Sequence, residues 1–99
     1  MLDLTGKKAL VTGIANNKSI AWGIAQQLHA AGAEIGVTYL PDDRGRAEGK
    51  VKKLTEPLNP TLFLPCNVQD DDQVNTLFDT VKEKWDSIDI LIHSLAYAN

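Results

Sequence analysis

The sequence predicts a doubly wound α/β fold with a parallel sheet, and three observations lead to it. Short runs of Ile, Leu and Val alternate with segments in which apolar residues recur at helical spacing. These runs lack polar alternation, which is typical of parallel strands that are covered on both faces. The element order is β-α-β-α-β-α-β, and right-handed crossovers turn that order into an open sheet whose ligands bind at the carboxyl ends of the strands.

The first strand and the first helix have clear boundaries. Residues 8–12 form a strand that stops at Gly13. Ser19 is a favourable N-cap and Gly32 suits the position after the last helical turn. The predicted core stripe of this helix comprises Ile20, Ile24 and Leu28, with Ala21, Ala25 and Ala31 beside them.

The remaining strands and helices are predicted from the same alternation of apolar runs and helical spacing. Residues 34–39 form the second strand, 61–64 the third and 88–93 the fourth. Asp70 and Gln73 have the spacing of a capping box before the third helix. The apolar stripe of the second helix comprises Ala47, Val51, Leu54 and Leu58, and that of the third comprises Val74, Leu77, Phe78, Val81 and Trp85.

Composition and charge exclude several classes of protein. The 99 residues are 43% hydrophobic and 23% charged, which is ordinary globular composition. A single cysteine, Cys66, forms no internal disulfide and suggests a reducing compartment. The apolar runs are too short to span a bilayer, and a net charge of −3 provides no basic footprint for nucleic acid. We therefore expect a cytoplasmic protein that binds neither membrane nor nucleic acid.

The turn after the first strand is a candidate phosphate site. Gly13 permits a sharp turn, and Ser19 and Ile20 open a helix whose unpaired N–H groups favour a pyrophosphate. The G-x-G-x-x-G fingerprint is absent, because the loop is longer and its later glycine positions are not filled. Spacing alone leaves a plain strand-turn-helix connection open as the alternative.

Two segments resemble one family. The pattern T-G-x5-S-I-A-x-G-I-A, which starts at Thr12, resembles the cofactor loop of divergent short-chain dehydrogenase/reductases, specifically the enoyl-acyl-carrier-protein reductases. At the fourth strand, His93 and Ser94 replace the paired asparagines of ordinary short-chain dehydrogenases, as in the enoyl reductases. The resemblance extends from Leu4 to Ala98.

The resemblance implies a function for a longer protein. It implies NADH-dependent reduction of the trans-2 double bond of an enoyl thioester on acyl carrier protein, in fatty-acid biosynthesis, by a cytoplasmic homotetramer. Residues 1–99 would be the N-terminal part of a single dinucleotide-binding Rossmann domain, with the first four strands of an incomplete sheet. The family's Tyr-x6-Lys motif is expected beyond residue 99, so no catalytic residue is assigned. The chain alone is expected to be inactive and to leave apolar surface uncovered on its first and fourth strands.

The resemblance also assigns binding positions, none of them to a metal. Gly13, Ser19 and Ile20 match the residues that hold the pyrophosphate and the adjoining ribose of the cofactor. Leu40 matches a contact on the adenine side.

Four further positions follow the third and fourth strands. Asn67 and Val68 match the pair that binds the adenine ring, although the family often has Asp at the first. Leu95 matches a backbone position beside the cofactor, and Ala98 matches the acyl-substrate pocket.

The choice between NADH and NADPH depends on the end of the second strand. An acid there would bind the ribose 2′-hydroxyl and repel a 2′-phosphate. Leu40 is not an acid, while Asp42 and Asp43 follow closely and Arg44 and Arg46 come later. No basic residue occupies positions 39–41, which favours NADH.

Two other functions stay open at this point: a short-chain dehydrogenase acting on an alcohol or ketone, and a non-catalytic dinucleotide-binding module. Several notable residues have simpler structural interpretations. We expect His93 to be packed and hydrogen-bonded, Trp22 and Trp85 to belong to the core, and Cys66 to be a small buried hydrophobe. The acidic run at 70–72 favours a helix start, and the cations at 44–53 form a solvated face.

Overall fold

The protein forms one parallel sheet with helices on both faces. The structure, a computed structural model, describes residues 3–15, 18–67 and 69–93. The strand order is β3-β2-β1-β4, which confirms the predicted open, doubly wound topology. The strands are β1 (Lys8–Val11), β2 (Glu34–Tyr39), β3 (Leu62–Pro65) and β4 (Ile90–Ile92). The helices are α1 (Ile20–Ala30), α2 (Arg46–Thr55) and α3 (Asp71–Trp85), with a 3-10 turn at Glu56–Leu58.

The central strand β1 is buried on both faces. It pairs with β2 on one side and β4 on the other, and its residues Ala9, Leu10 and Val11 are all 0% exposed. Ala9 and Val11 belong to a core cluster shared with α1 and α2, whereas Leu10 belongs to a second cluster shared with α3. Successive residues of a strand point to opposite faces, so one strand supplies both cores.

The expectation of uncovered apolar surface is correct for β4 and wrong for β1. Leu91 of β4 is 50% exposed, and β4 is paired only with β1 in the described sheet. Residues of β1 have no such surface, because strands flank β1 on both sides and helices cover both of its faces.

Helix α1 buries most of the face that its sequence predicts, with Ile20 as the exception; the predicted Leu28 packs against the core. Ala21 and Ala25 are fully buried, whereas Ile20 is 78% exposed. Small alanines let the helix approach the sheet, and the stripe therefore turns away from Ile20. The predicted ends are correct: Ser19 is the N-cap, and Gly32 follows the helix and donates its N–H to the carbonyl of His29.

Helix α3 is fixed to the other face by Trp85. Trp85 is 3% exposed, its indole Nε1 donates to Thr61 Oγ1 at 3.1 Å, and its backbone carbonyl accepts from Lys8 Nζ at 2.7 Å. A Cβ built at Gly36 of β2 would lie 2.5 Å from Cη2 of Trp85, so the ring occupies the space that the missing side chain leaves. The core roles predicted for Trp85 and for the half-buried Trp22 are confirmed.

We expect Gly36→Ala to destabilise the protein by about 2 kcal/mol, because the added methyl overpacks the contact with Trp85. Gly49→Ala is the matched control, since a Cβ at that α2 position meets nothing within 4 Å. Alanine should stabilise that helix by up to about 1 kcal/mol. Urea unfolding of both variants measures the effects, and equal shifts for the two would contradict the packing argument.

Candidate functional site

The parallel sheet places the loops that follow its strands at a single edge. The β1 loop starts with Thr12, whose N–H donates to the carbonyl of Ile92 at 2.9 Å. The β3 loop starts with Cys66, whose N–H donates to the carbonyl of Tyr39 at 2.9 Å. The predicted binding residues Gly13, Leu40 and Asn67 follow three of these strand ends. Ligands of open α/β sheets bind at this edge.

The turn after β1 requires glycine, and a buried side chain next to that glycine anchors the turn in the core. Gly13 has φ +84°, a conformation that a side chain disfavours, so the predicted sharp turn is confirmed. Ile14 is 1% exposed and packs into the α1 and α2 core. Beyond it, the Ala15 N–H donates to Ser19 Oγ at 3.1 Å, which ties the loop to the start of α1. Nothing in the sequence argument singled out Ile14, although an isolated apolar residue in a polar loop is a usable signal.

The start of α1 has the electrostatics of an anion site. Its first turn contains no acidic residue, whereas α2 has Glu48 and α3 has Asp71 and Asp72 in theirs. The positive end of the α1 dipole is therefore not offset by a carboxylate in its own first turn, which suits a phosphate. The 78% exposed Ile20 lies beside it as an apolar surface open to a ligand.

The end of β2 combines an exposed apolar residue with a helix cap. Leu40 is 59% exposed, while the preceding Tyr39 is buried and stacks on Phe63 with ring centroids 5.0 Å apart. Asp42 Oδ1 accepts the N–H of Ala47 at 3.0 Å and so holds its carboxylate at the start of α2. This capping role was not predicted from the sequence.

The loop after β3 is joined to α3. As predicted, Asp70 is the N-cap, and its Oδ1 accepts the N–H groups of Asp72 at 3.0 Å and Gln73 at 3.4 Å. The other half of the predicted capping box, a bond from the Asp70 N–H to the Gln73 side chain, is wrong. Gln73 Oε1 accepts the N–H of Asn67 at 2.7 Å, and the N–H of Asp70 donates to the carbonyl of Asn67 instead.

Two described residues with reactive side chains, Cys66 and His93, give no sign of a catalytic role. Cys66 is buried, as expected, and burial, followed by the charge of Asp70, raises the pKa of its thiol. A raised pKa disfavours the reactive thiolate. His93 is exposed, so its expected packing is wrong. In the part of the chain that the structure describes, no group of three His, Cys, Asp or Glu could hold a metal ion.

Three predicted site residues lie outside the described residues: Val68, Leu95 and Ala98. A shallow groove of about 480 Å³ lies away from the strand ends, between Lys52 and Lys53 of α2 and Phe63 of β3. The cations of α2 are exposed, as expected. None of the described helices has the length and apolarity to cross a membrane.

The strand order, the positive-φ glycine turn and the helix that follows it define a Rossmann-type α/β fold, in which the carboxyl ends of the strands are the candidate nucleotide site. Comparison with known proteins then narrows the class. Residues 13–99 match the family described as Enoyl-(Acyl carrier protein) reductase, and the chain belongs to that family.

Individual relatives agree with this membership. The chain is 72% identical over 99 residues to an NADH enoyl-acyl-carrier-protein reductase of a Nostoc species, covering 100% of this chain and 38% of that protein. The Bacillus cereus enoyl-acyl-carrier-protein reductase, solved with NADP+ and indole naphthyridinone, is 40% identical, with a TM-score of 0.89. The Anaplasma phagocytophilum reductase in complex with NAD is 36% identical, with a TM-score of 0.86. Each of these two alignments includes 100% of this chain but only 38% of the other chain. This chain therefore spans well under half the length of its relatives.

We expect the stability of the protein to fall above about pH 10, the ordinary pKa of tyrosine, partly through Tyr39. Burial, and then the charge and hydrogen bond of Glu48, raise the pKa of the Tyr39 hydroxyl. Its contribution is fully present below the unfolded pKa and is lost as pH rises through the higher folded pKa. Tyr39→Phe keeps the stack on Phe63 and removes this titration.

Urea unfolding of both proteins at a series of pH values from neutral to alkaline tests this expectation. The free energy of unfolding of the wild type should decline more steeply than that of Tyr39→Phe at alkaline pH. Parallel curves for the two proteins would show that Tyr39 titrates alike in the folded and unfolded states.

Proposed function

We propose that this chain is the N-terminal part of an NADH-dependent enoyl-acyl-carrier-protein reductase of fatty-acid biosynthesis. The observation that carries the proposal is the family match over residues 13–99, on a fold in which a glycine of positive φ, Gly13, follows β1. In this proposal residues 1–99 are part of one dinucleotide-binding domain. The longer protein reduces the trans-2 double bond of an enoyl thioester carried on acyl carrier protein.

The pyrophosphate and its ribose are proposed to bind at Gly13, Ser19 and Ile20. Three described features fit such a group: the positive φ of Gly13, the absence of carboxylates from the first turn of α1, and the exposed Ile20. Backbone N–H groups at a helix start can bind a phosphate without a cationic side chain. Ile20 would cover the ribose with apolar surface.

The adenosine half is proposed to lie across the ends of β2 and β3. Leu40 supplies exposed apolar surface there, and Asn67 supplies polar groups for the adenine ring. Val68 beside Asn67, Leu95 beside the cofactor and Ala98 at the acyl pocket complete the proposed set by resemblance to the family.

The described residues of this chain bind and orient the cofactor. When bound, NADH supplies the hydride for reduction. The proposed task of this part of the chain is to hold the adenosine and pyrophosphate so that the nicotinamide has a defined position, and a small displacement of bound groups is costly for rate. The tyrosine and lysine of a Tyr-x6-Lys motif, expected outside residues 1–99, are proposed to act on the substrate.

Cofactor choice, location and assembly belong to the same proposal. The capping carboxylate of Asp42, close to the end of β2, favours a ribose 2′-hydroxyl over a 2′-phosphate and hence NADH. A single cysteine, free and buried, fits the reducing cytoplasm. A homotetramer is proposed for the longer protein by resemblance to the family.

The direct test uses the full-length gene product that contains residues 1–99. Purified protein should oxidise NADH when a trans-2-enoyl thioester on acyl carrier protein is added. The loss of reduced-nicotinamide absorbance measures this oxidation. Omission of the thioester is the control for substrate-independent oxidation. Turnover of a secondary alcohol or ketone, without turnover of the enoyl thioester, would instead support an ordinary short-chain dehydrogenase.

We expect Asp42→Ser to improve NADPH binding relative to NADH by about three- to tenfold, because it removes a carboxylate that repels the 2′-phosphate. Serine retains an oxygen that can cap α2 at Ala47. Asp79→Ser, at an exposed position of α3, is the matched control. Titration of both cofactors measures the ratio, and an unchanged ratio in Asp42→Ser would assign the selectivity to other residues.

A further inference from the structure

The main chain of Asn67 is held from two sides by the start of α3. Its N–H donates to Gln73 Oε1 at 2.7 Å, and its carbonyl accepts the N–H of Asp70 at 2.9 Å. Asn67 is only two residues beyond the end of β3, where the sheet ladder no longer provides partners. These two bonds therefore replace strand pairing as the restraint on its backbone.

Gln73 is itself restrained. Its Nε2 donates to Asp70 Oδ2 at 3.3 Å, and its own N–H donates to Asp70 Oδ1 at 3.4 Å. A glutamine side chain loses much conformational freedom on ordering, and this second anchor reduces the cost of holding Oε1 toward Asn67. The side chain is half-buried, so water competes less for these bonds than at an exposed position.

The side chain of Asn67 is oriented by the same loop. Its Oδ1 accepts the N–H of Gln69 at 3.0 Å. The carboxamide is therefore oriented through its oxygen, and its Nδ2 is the donor that it can offer to a ring nitrogen of a base. Loss of the Gln73 bond would release the backbone from which this side chain extends.

We propose that Gln73 is a positioning residue for the adenine of the cofactor, acting through Asn67. This inference rests on the proposed function, because it assumes that Asn67 lies at the adenine. Gln73 holds the Asn67 N–H while Asp70 holds the Asn67 carbonyl, so the start of α3 sets where the base can bind. Removal of the Gln73 bond weakens the adenine half of the site and leaves the reaction at the nicotinamide unchanged.

The experiment compares variants of the full-length gene product. Gln73→Met keeps the length of the side chain and removes its hydrogen bonds, whereas Gln73→Glu keeps an acceptor for the Asn67 N–H. Gln26→Met, at an exposed position of α1, is the matched control. Measured quantities are the Kd for ADP-ribose, the KM for NADH, kcat and the thermal midpoint.

Gln73→Met should raise both the Kd for ADP-ribose and the KM for NADH about fivefold, the order expected for one hydrogen bond, with kcat within about twofold of wild type. Gln73→Glu should recover only part of that affinity, because it keeps the acceptor for the Asn67 N–H but loses the donor to Asp70 Oδ2 and places a second carboxylate beside it. Gln26→Met should match the wild type. Asp70→Ser, which retains a cap for α3 but loses the second anchor of Gln73, should show a smaller loss of the same kind. It tests the link independently if Gln73→Met does not fold.

The two hypotheses fail in different ways. A wild-type protein that binds neither ADP-ribose nor NADH would overturn the proposed function. A wild-type protein that binds both, with Gln73→Met and Asp70→Ser unchanged in affinity, would overturn the positioning role alone. A fall in kcat equal to the loss of affinity, without recovery in Gln73→Glu, would assign Gln73 a general structural role and also overturn it.

Discussion

Strand β1 is covered by helices on both faces and paired with a strand on both sides, and the rest of this structure depends on this constraint. A strand with no exposed side chain at Ala9, Leu10 or Val11 needs a helix layer above and below and a paired strand on each side. Parallel pairing with β2 and β4 meets the second need, and it also brings the carboxyl ends of the strands to one edge. The candidate site is thus a consequence of how the core is closed, because its loops start where those strands end.

Helix α3 connects the core on its face of the sheet with the loop after β3. Trp85 fits against Gly36 at one end of that helix, and Lys8 bonds to its last carbonyl. At the other end, the carboxylate of Asp70 caps the helix and Gln73 holds Asn67. The helix is thus bonded to β1 at its carboxyl end and to the loop after β3 at its amino end. Core packing and the proposed adenine site therefore involve the same helix.

Much of this arrangement could be predicted from the amino-acid sequence. The element order, the turn at Gly13 and the ends of α1 depend on local preferences, because hydrophobic spacing, helix caps and glycine conformations involve residues that are close together in the chain. The family could be recognised for a related reason, since its departures from the usual dinucleotide fingerprint are themselves short local patterns. These features remain visible without knowledge of what packs against what.

Sequence alone therefore determined the fold class, the order of the elements and the strand ends from which a nucleotide site would be built. Only the tertiary structure decided which face of α1 is buried, with Ala21 in the core and Ile20 exposed, because that choice depends on how closely the helix can approach the sheet. It also decided that Gln73 bonds to Asn67 instead of completing a capping box, and that His93 is exposed. Local patterns leave these alternatives open. The buried face of α1 depends on packing against the formed sheet, and the bond of Gln73 depends on where the end of β3 places the backbone of Asn67.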